Sequence, residues 1–298
     1  MLDKKTVSIG IPAYNEERNI GELLKSLLKQ KSNNEVKIEQ ILVISDGSKD
    51  NTGKIVKNFD KRHKIIKSIV NTENKGKSEI INEIILHVKT DYLVLFDADI
   101  KVFDDQVIVK LVRNFINEKI GLVGGLPVPI DTDGNYVERA SIFSFKVQRT
   151  IKKRLNKGDN VYSCHGRILC LSKGFYSKLK MPKNIPGTDA YIYFSCKKIG
   201  LDFVYDSESR VYYKTPSLKK DFIKQNRRFS RSRKVMKTIF HQSGEEYSIP
   251  KLLVLDIILK EMILNPYNFF CWFLLILISS KTSDKEIQGC WGVLESTK

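Results

Sequence analysis

The chain has 298 residues, 42% of them hydrophobic, with 51 Lys and Arg against 34 Asp and Glu, for a formal net charge of +17. Length and apolar content support a substantial buried core and exclude a disordered chain. The charge calls for a polyanionic neighbour, either an anionic membrane face or a nucleic acid. Five cysteines, Cys164, Cys170, Cys196, Cys271 and Cys290, form no Cys-x-x-Cys pair, which points to reduced thiols in a cytosolic setting and away from zinc.

The N-terminus carries no signal-peptide pattern, since its charged start runs directly into a β-like stretch, Val7 to Ile11. Pro12 is expected to break that stretch, and Ala13-Tyr14-Asn15-Glu16-Glu17 then leads into a helix. A second strand, Gln40 to Ser45, empties into Asp46-Gly47-Ser48-Lys49-Asp50-Asn51-Thr52, a turn with helix-capping residues. The third runs from Lys64 to Val70, after which Asn74-Lys75-Gly76-Lys77 opens a helix bearing Asn82. Strand, polar loop and helix recur at βαβ spacing, so a parallel sheet is expected, with ligand contacts at the carboxyl ends of its strands.

The fourth strand, Tyr92 to Phe96, ends in Asp97-Ala98-Asp99. Two carboxylates one residue apart can bind a hard divalent cation through oxygen, and that cation can neutralise a diphosphate. Alone, such a pair is more often a solvated strand end, but here it shares an edge with three other polar loops. Further on, Ser163-Cys164-His165-Gly166-Arg167 precedes an apolar run, and Gly166 permits close backbone approach. Asp189, in Gly187-Thr188-Asp189, fits either a helix N-cap or a general base.

Basic residues gather in 146–154 and again from Lys219 to Lys237. Two apolar segments follow. Leu252 to Leu264, with charges at helical spacing, suits a helix lying on a membrane, and Asn265-Pro266 interrupts it. Tyr267 to Ile278 is apolar all round but shorter than the ~20 residues that cross a bilayer, which favours a peripheral or re-entrant anchor over a span, with a buried core helix as the alternative. The expected organisation is a catalytic unit over 1–240, a membrane-associating helical segment over 241–282 and a weakly structured tail over 283–298.

Pro12-Ala13-Tyr14-Asn15-Glu16, Ser45-Asp46-Gly47-Ser48, Asn74-x-Gly76-Lys77 and Asp97-Ala98-Asp99, in that order, resemble the donor-binding half of a family 2 glycosyltransferase. The resemblance implies an α/β GT-A fold with a Rossmann-like, mostly parallel sheet, to which the C-terminal amphipathic and apolar helices are appended. It also implies a nucleotide-sugar donor, most often a uridine diphosphate sugar, with Mg²⁺ or Mn²⁺ held by Asp99 and Asp97. Thr188-Asp189 is similar to the family's base segment, and Gln225-Asn226-Arg227-Arg228-Phe229 resembles the Gln-x-x-Arg-Trp motif of polysaccharide synthases and ceramide-type glucosyltransferases. Phe229 in place of tryptophan keeps a stacking face but loses the indole N–H. Ser45 stands where many members carry a first aspartate, which leaves Asp46 to read the base.

By that resemblance Pro12, Tyr14, Glu16, Asp46, Lys77, Asp97, Gln225 and Arg228 contact the nucleotide sugar, Asp189 is the catalytic base, and His165 and Gly166 border the acceptor. The implied reaction is inverting transfer to a hydroxyl or phosphate of a lipid-linked or saccharide acceptor at the cytoplasmic face of a membrane. A processive polysaccharide synthase subunit is the alternative, although such a synthase is expected to carry several spans. A sugar nucleotidyltransferase would need a Gly-rich basic loop near the N-terminus, which Pro12 to Glu16 is not. Nucleic acid is not expected as a partner, because it accounts for the charge but not for the ordered acids.

Overall fold

Continuous apolar runs in the central strands, with buried side chains on both faces, build a sheet covered by helices on each side. In the computed structural model, residues 4–130, 134–241, 243–280 and 295–297 are described. The first half contains β1 (Lys5–Ala13), α1 (Ile20–Leu27), β2 (Val36–Asp46), α2 (Thr52–Arg62), β3 (Ile66–Asn71), α3 (Lys77–Leu86), β4 (Tyr92–Phe96), β5 (Ile100–Lys101) and α4 (Val107–Arg113). Then come β6 (Ile120–Pro129), α5 (Tyr136–Arg154), β7 (Ile168–Ser172), α6 (Lys173–Tyr176), α7 (Thr188–Lys198) and β8 (Asp202–Tyr213). Helices α8 (Lys219–Ile239), α9 (Ser243–Glu246), α10 (Lys251–Leu264) and α11 (Pro266–Ser280) follow.

The eight strands form one sheet in the order β3-β2-β1-β4-β7-β6-β8-β5. Along β2, Ile41 and Val43 join the core under α1 and α4, whereas Leu42 and Ile44 join the opposite core under α3 and α7. In β4 the same division separates Val94 and Phe96 from Leu93 and Leu95. This two-sided burial is why these strands read as continuous apolar runs.

Parallel pairing of β1, β2, β3 and β4 brings Ala13, Asp46, Asn71 and Phe96 to one edge. Not all of the sheet is parallel. β7 runs antiparallel to β4 with Ile168 opposite Phe96, so the residues just before Ile168 reach the edge at which β4 ends. β8 is antiparallel to β5 with Tyr213 opposite Ile100, which adds Tyr213 to that edge.

Pro12 does not break β1. It is paired in register with Ile44 of β2, beyond Gly10, where pairing with β4 ends. A residue without an N–H is tolerated at a position flanked by one strand only.

Helices α10 and α11 fold back onto α5 through Phe143, Val147, Ile151 and Ile257, with Val137, Ala140, Cys271 and Leu275 in a neighbouring cluster. Phe143 is fully buried between Phe269 and Trp272, ring centres 5.6 and 5.3 Å away. Helix α10 is apolar on two sides. Leu253, Val254 and Ile258 lean on the α5 cluster, while Leu252, Leu255, Leu259 and Ile263 are exposed. No helix of the described residues is long and apolar enough to cross a membrane. The 15 residues of α11 would reach about 22 Å at the α-helical rise. Most of the 283–298 tail, with Cys290, lies outside the described residues; within it, Ser296 donates from N and Oγ to Asp221 Oδ2 at 2.9 and 2.6 Å. The other four cysteines are buried free thiols.

Phe143→Ala should lower stability by about 3–5 kcal/mol, the usual cost of a buried Phe cavity. A shift in the urea midpoint checks this, and an unchanged midpoint would show that α10 and α11 do not rest on α5 in solution.

Candidate functional site

The β1–α1 and β2–α2 loops are laced together at the carboxyl edge. Asn15, at φ 52°, donates from its N to Ser48 Oγ at 3.1 Å and accepts from Lys49 N at 2.8 Å. Glu16 N donates to Thr52 Oγ1 at 2.7 Å, and Glu16 Oε2 accepts from Asn19 Nδ2 at 2.8 Å. Tyr14 and Glu16 are half-buried beside this seam, and Pro12 lines the cleft next to it.

Asp46 is fully buried, and its two oxygens accept from Lys75 N at 2.8 Å and Gly76 N at 2.9 Å. Burial raises its pKa, against the pull of those two bonds and of the Lys75 charge. The carboxylate therefore points at its own chain, tying the end of β2 to the start of α3. One residue later Lys77 opens α3 and its Nζ forms a close ion pair with Asp97 Oδ1.

Gly166 stands across the cleft from that pair. A β-carbon there would lie 3.3 Å from Lys77 Nζ and 3.6 Å from Asp189 Cβ, so the missing side chain leaves room for cation and carboxylate to approach the same point. The cleft between them is lined by Pro12, Lys77, Asp97, Gly166 and Thr188 over an apolar floor that includes Ile81.

Asp189 lies in the first turn of α7, one residue past the start, so it is not the N-cap. That position belongs to Gly187, at φ 82°, where a β-carbon would strike Ser232 Oγ of α8 at 2.0 Å. Asp189 Oδ1 accepts from Ala190 N at 2.9 Å. Gln225 and Arg228 precede Ser232 by seven and four residues on α8, hence on the face turned to α7. Gln225 is half-buried, whereas Arg228 and Phe229 are exposed.

Asp99 faces Arg167, whose Nη2 is 3.9 Å from Asp99 Oδ2 and whose guanidinium lies 3.9 Å from the Tyr213 ring centre. Asp99 Oδ1 is buried without a hydrogen-bond partner. An orphaned carboxylate oxygen beside a second carboxylate fits a hard divalent cation. Among the described residues no group of three or more His, Cys, Asp or Glu could hold a metal, so the protein would supply Asp99 and Asp97 and leave other positions to phosphate and water.

His165 does not face the open cleft alone. Its Nε2 is 2.6 Å from Lys152 Nζ of α5. Burial pushes Lys152 down to about 7 against the charge of Asp189, with Arg167 adding to the effect. His165 is held well below the usual range by burial, then by Lys152 and Arg167, and so is neutral.

The Glycosyl transferase family 2 model matches residues 8–178, more than half of the chain. Poly-beta-1,6-N-acetyl-D-glucosamine synthase of Staphylococcus epidermidis is 34% identical over 123 residues, 41% of this chain and 28% of that protein. A dolichyl-phosphate beta-glucosyltransferase of Trichomonas vaginalis is 31% identical over 116 residues, covering 37% and 36% of the two chains. The matches thus span little more than a third of these relatives at most. A solved mannosyltransferase of Pyrobaculum calidifontis, in complex with GDP-Man and Mn²⁺, superposes over 95% of this chain and 77% of its own with a TM-score of 0.61 at 14% identity. The TarS protein of S. aureus superposes over 86% of this chain and 43% of its own, TM-score 0.55, 15% identity. The fold is GT-A, and the chain belongs to glycosyltransferase family 2.

Sequence reasoning missed Arg167, Tyr213 and Lys152. Antiparallel β7 brings Arg167 to the edge and β8, parallel to β6, ends there with Tyr213, while Lys152 lies inside the basic run 146–154. Lys152 has a pKa of 10.5 in the unfolded chain but of about 7 when folded. The unfolded state therefore binds the extra proton between these values, and stability rises with pH across that window. Wild-type protein should gain thermal stability from pH 7 to 10 relative to Lys152→Met. Parallel Tm profiles for the two proteins would contradict the burial of this amine.

Proposed function

We propose that the chain transfers a sugar, with inversion, from a nucleoside diphosphate sugar to a hydroxyl or phosphate of a lipid-linked or saccharide acceptor. UDP is the first choice of nucleotide. The observation that carries this reading is the convergence of Lys77, paired with Asp97, and of Asp189 on the side-chain-free position of Gly166. A donor diphosphate against the acid pair would put its anomeric carbon towards Asp189. When bound, Mg²⁺ or Mn²⁺ would supply charge neutralisation to the departing diphosphate, with Asp99 and Asp97 as its protein ligands. The Mn²⁺ in the Pyrobaculum relative supports that assignment.

Lys77 adds fixed positive charge from the start of α3, and Arg228 can add more from α8 by swinging in from its exposed position. The seam of Tyr14, Glu16 and Asp46 shapes the nucleoside end. Because Asp46 already holds two backbone N–H groups, it acts first by fixing that loop, and any contact to a base uses its remaining lone pairs. Asp189 takes the proton from an acceptor hydroxyl as the oxygen attacks, and a single displacement needs only this one base. Asp189→Asn should bind donor nearly as wild type and lose roughly 10²–10⁴-fold in turnover. Nucleotide release across a donor panel checks this. Equal loss of donor binding would make Asp189 structural.

A lipid-linked acceptor is supported by the exposed apolar faces of α10 and α11, which include Leu252, Leu255, Leu259, Ile263, Phe270 and Leu277. The two helices lie on α5, which also carries Lys152 into the site, and Lys146 and Arg154 of α5 reach Asn265 and Asp256 beside them. Charge would draw such a surface to an anionic bilayer at the cytoplasmic face, and apolar burial would retain it. Wild-type protein should sediment with phosphatidylglycerol vesicles and keep part of that binding at high salt. The Leu255→Asp, Leu259→Asp, Phe270→Asp triple variant should lose the salt-resistant part while still binding donor. Equal sedimentation of the two proteins would favour a soluble saccharide acceptor.

A further inference from the structure

The acid pair at the end of β4 carries its own two cations. Lys77 closes on Asp97, and Arg167 lies over Asp99 at 3.9 Å. Neither cation arrives by chance of a long side chain. Lys77 is fixed by its place at the start of α3, beneath the loop that Asp46 holds. Arg167 is fixed by antiparallel β7, by its carbonyl, which accepts from Asp97 N at 3.4 Å, and by the Tyr213 ring. Its side chain is 12% exposed and that of Asp99 20%, so the pair is screened only weakly by water. Both are incompletely satisfied, since Arg167 Nε and Asp99 Oδ1 are buried without partners.

Two carboxylates and two cations sum to zero. A bare divalent cation approaching them must displace or face Lys77 and Arg167, and a free diphosphate must face Asp97 and Asp99. When both arrive, each finds its complement: oxygen ligands for the cation, guanidinium and ammonium donors for the phosphates. Their joint charge is close to neutral, so the balance of the site is preserved.

We propose that Arg167, together with Lys77, is a placeholder for the metal, neutralising the acid pair until cation and diphosphate arrive together and then turning its N–H groups to the phosphates. This inference rests on the donor reading given above. It makes metal and nucleotide binding mutually dependent, because each removes the repulsion that the other meets. By linkage the coupling is reciprocal, and for one rearranged charge pair it should lie between roughly fivefold and a hundredfold.

The test is Mn²⁺ binding followed by electron paramagnetic resonance, with and without UDP or GDP, on the full chain. Wild type should bind Mn²⁺ weakly alone and at least about tenfold more tightly with nucleotide. Arg167→Gln should tighten Mn²⁺ binding without nucleotide, weaken nucleotide binding without metal, and so reduce the coupling. Arg167→Lys, which restores the charge, should recover part of it. Because Arg167 is buried and its loss can unfold the protein, Lys77→Gln at the better-exposed member provides an independent arm, expected to shift both affinities in the same directions. Mn²⁺ affinity and coupling that stay at wild-type values in Lys77→Gln and in folded Arg167→Gln would overturn the placeholder role. If wild type binds neither UDP nor GDP in the presence of Mn²⁺, the donor reading itself falls and this inference with it.

Discussion

The buried carboxylate of Asp46 is the constraint on which the donor side of the site depends. A carboxylate removed from water is tolerated only when its oxygens are hydrogen-bonded, and here the two partners are the N–H groups of Lys75 and Gly76. That arrangement fixes the first turn of α3, which directs Lys77 at Asp97. It acts with the Asn74 side chain, which donates to the Asp46 carbonyl at 3.2 Å, to hold the loop between β3 and α3 against the end of β2, and so to aim the cation at the acid pair.

The opposite wall is built by different means. Gly187 lets α8 pass within contact of the start of α7, which sets Asp189, and the Lys152–His165 contact ties the loop before β7 to α5. Residue 151 of the same helix is buried against the apolar cluster under α10, one position before the lysine that enters the site. A single helix thus joins the wall that holds His165 to the exposed apolar surface.

Much of the first half was legible because its strands are buried on both faces and its loops carry the polar residues that the edge requires. The fourth strand has the bounds that its apolar run gives, Tyr92 to Phe96, and the four donor-side motifs do meet at one edge. Pro12 misled because a proline in an apolar run is read as a stop, yet it sits where β1 has one neighbour only. Arg167 and Tyr213 were hidden because strand direction and pairing are tertiary properties. Arg167 reaches Asp99 only because β7 runs antiparallel to β4, and Tyr213 because β8, parallel to β6, ends beside β5 with Tyr213 opposite Ile100. For α10, charges at helical spacing suggested one wet face, but those charges are spent locally, Asp256 on Arg154 and Lys260, and the helix is apolar on both remaining sides.

The proposed function requires that a nucleotide sugar be cleaved at the edge defined by Asp97 and Asp99. The most direct measurement is metal-dependent nucleotide release from a panel of UDP- and GDP-sugars by wild type and Asp99→Ala. Wild type should release nucleotide from at least one donor only with Mg²⁺ or Mn²⁺, and Asp99→Ala should release none at any metal concentration. Undiminished release by Asp99→Ala would contradict the account and move the reaction away from this edge.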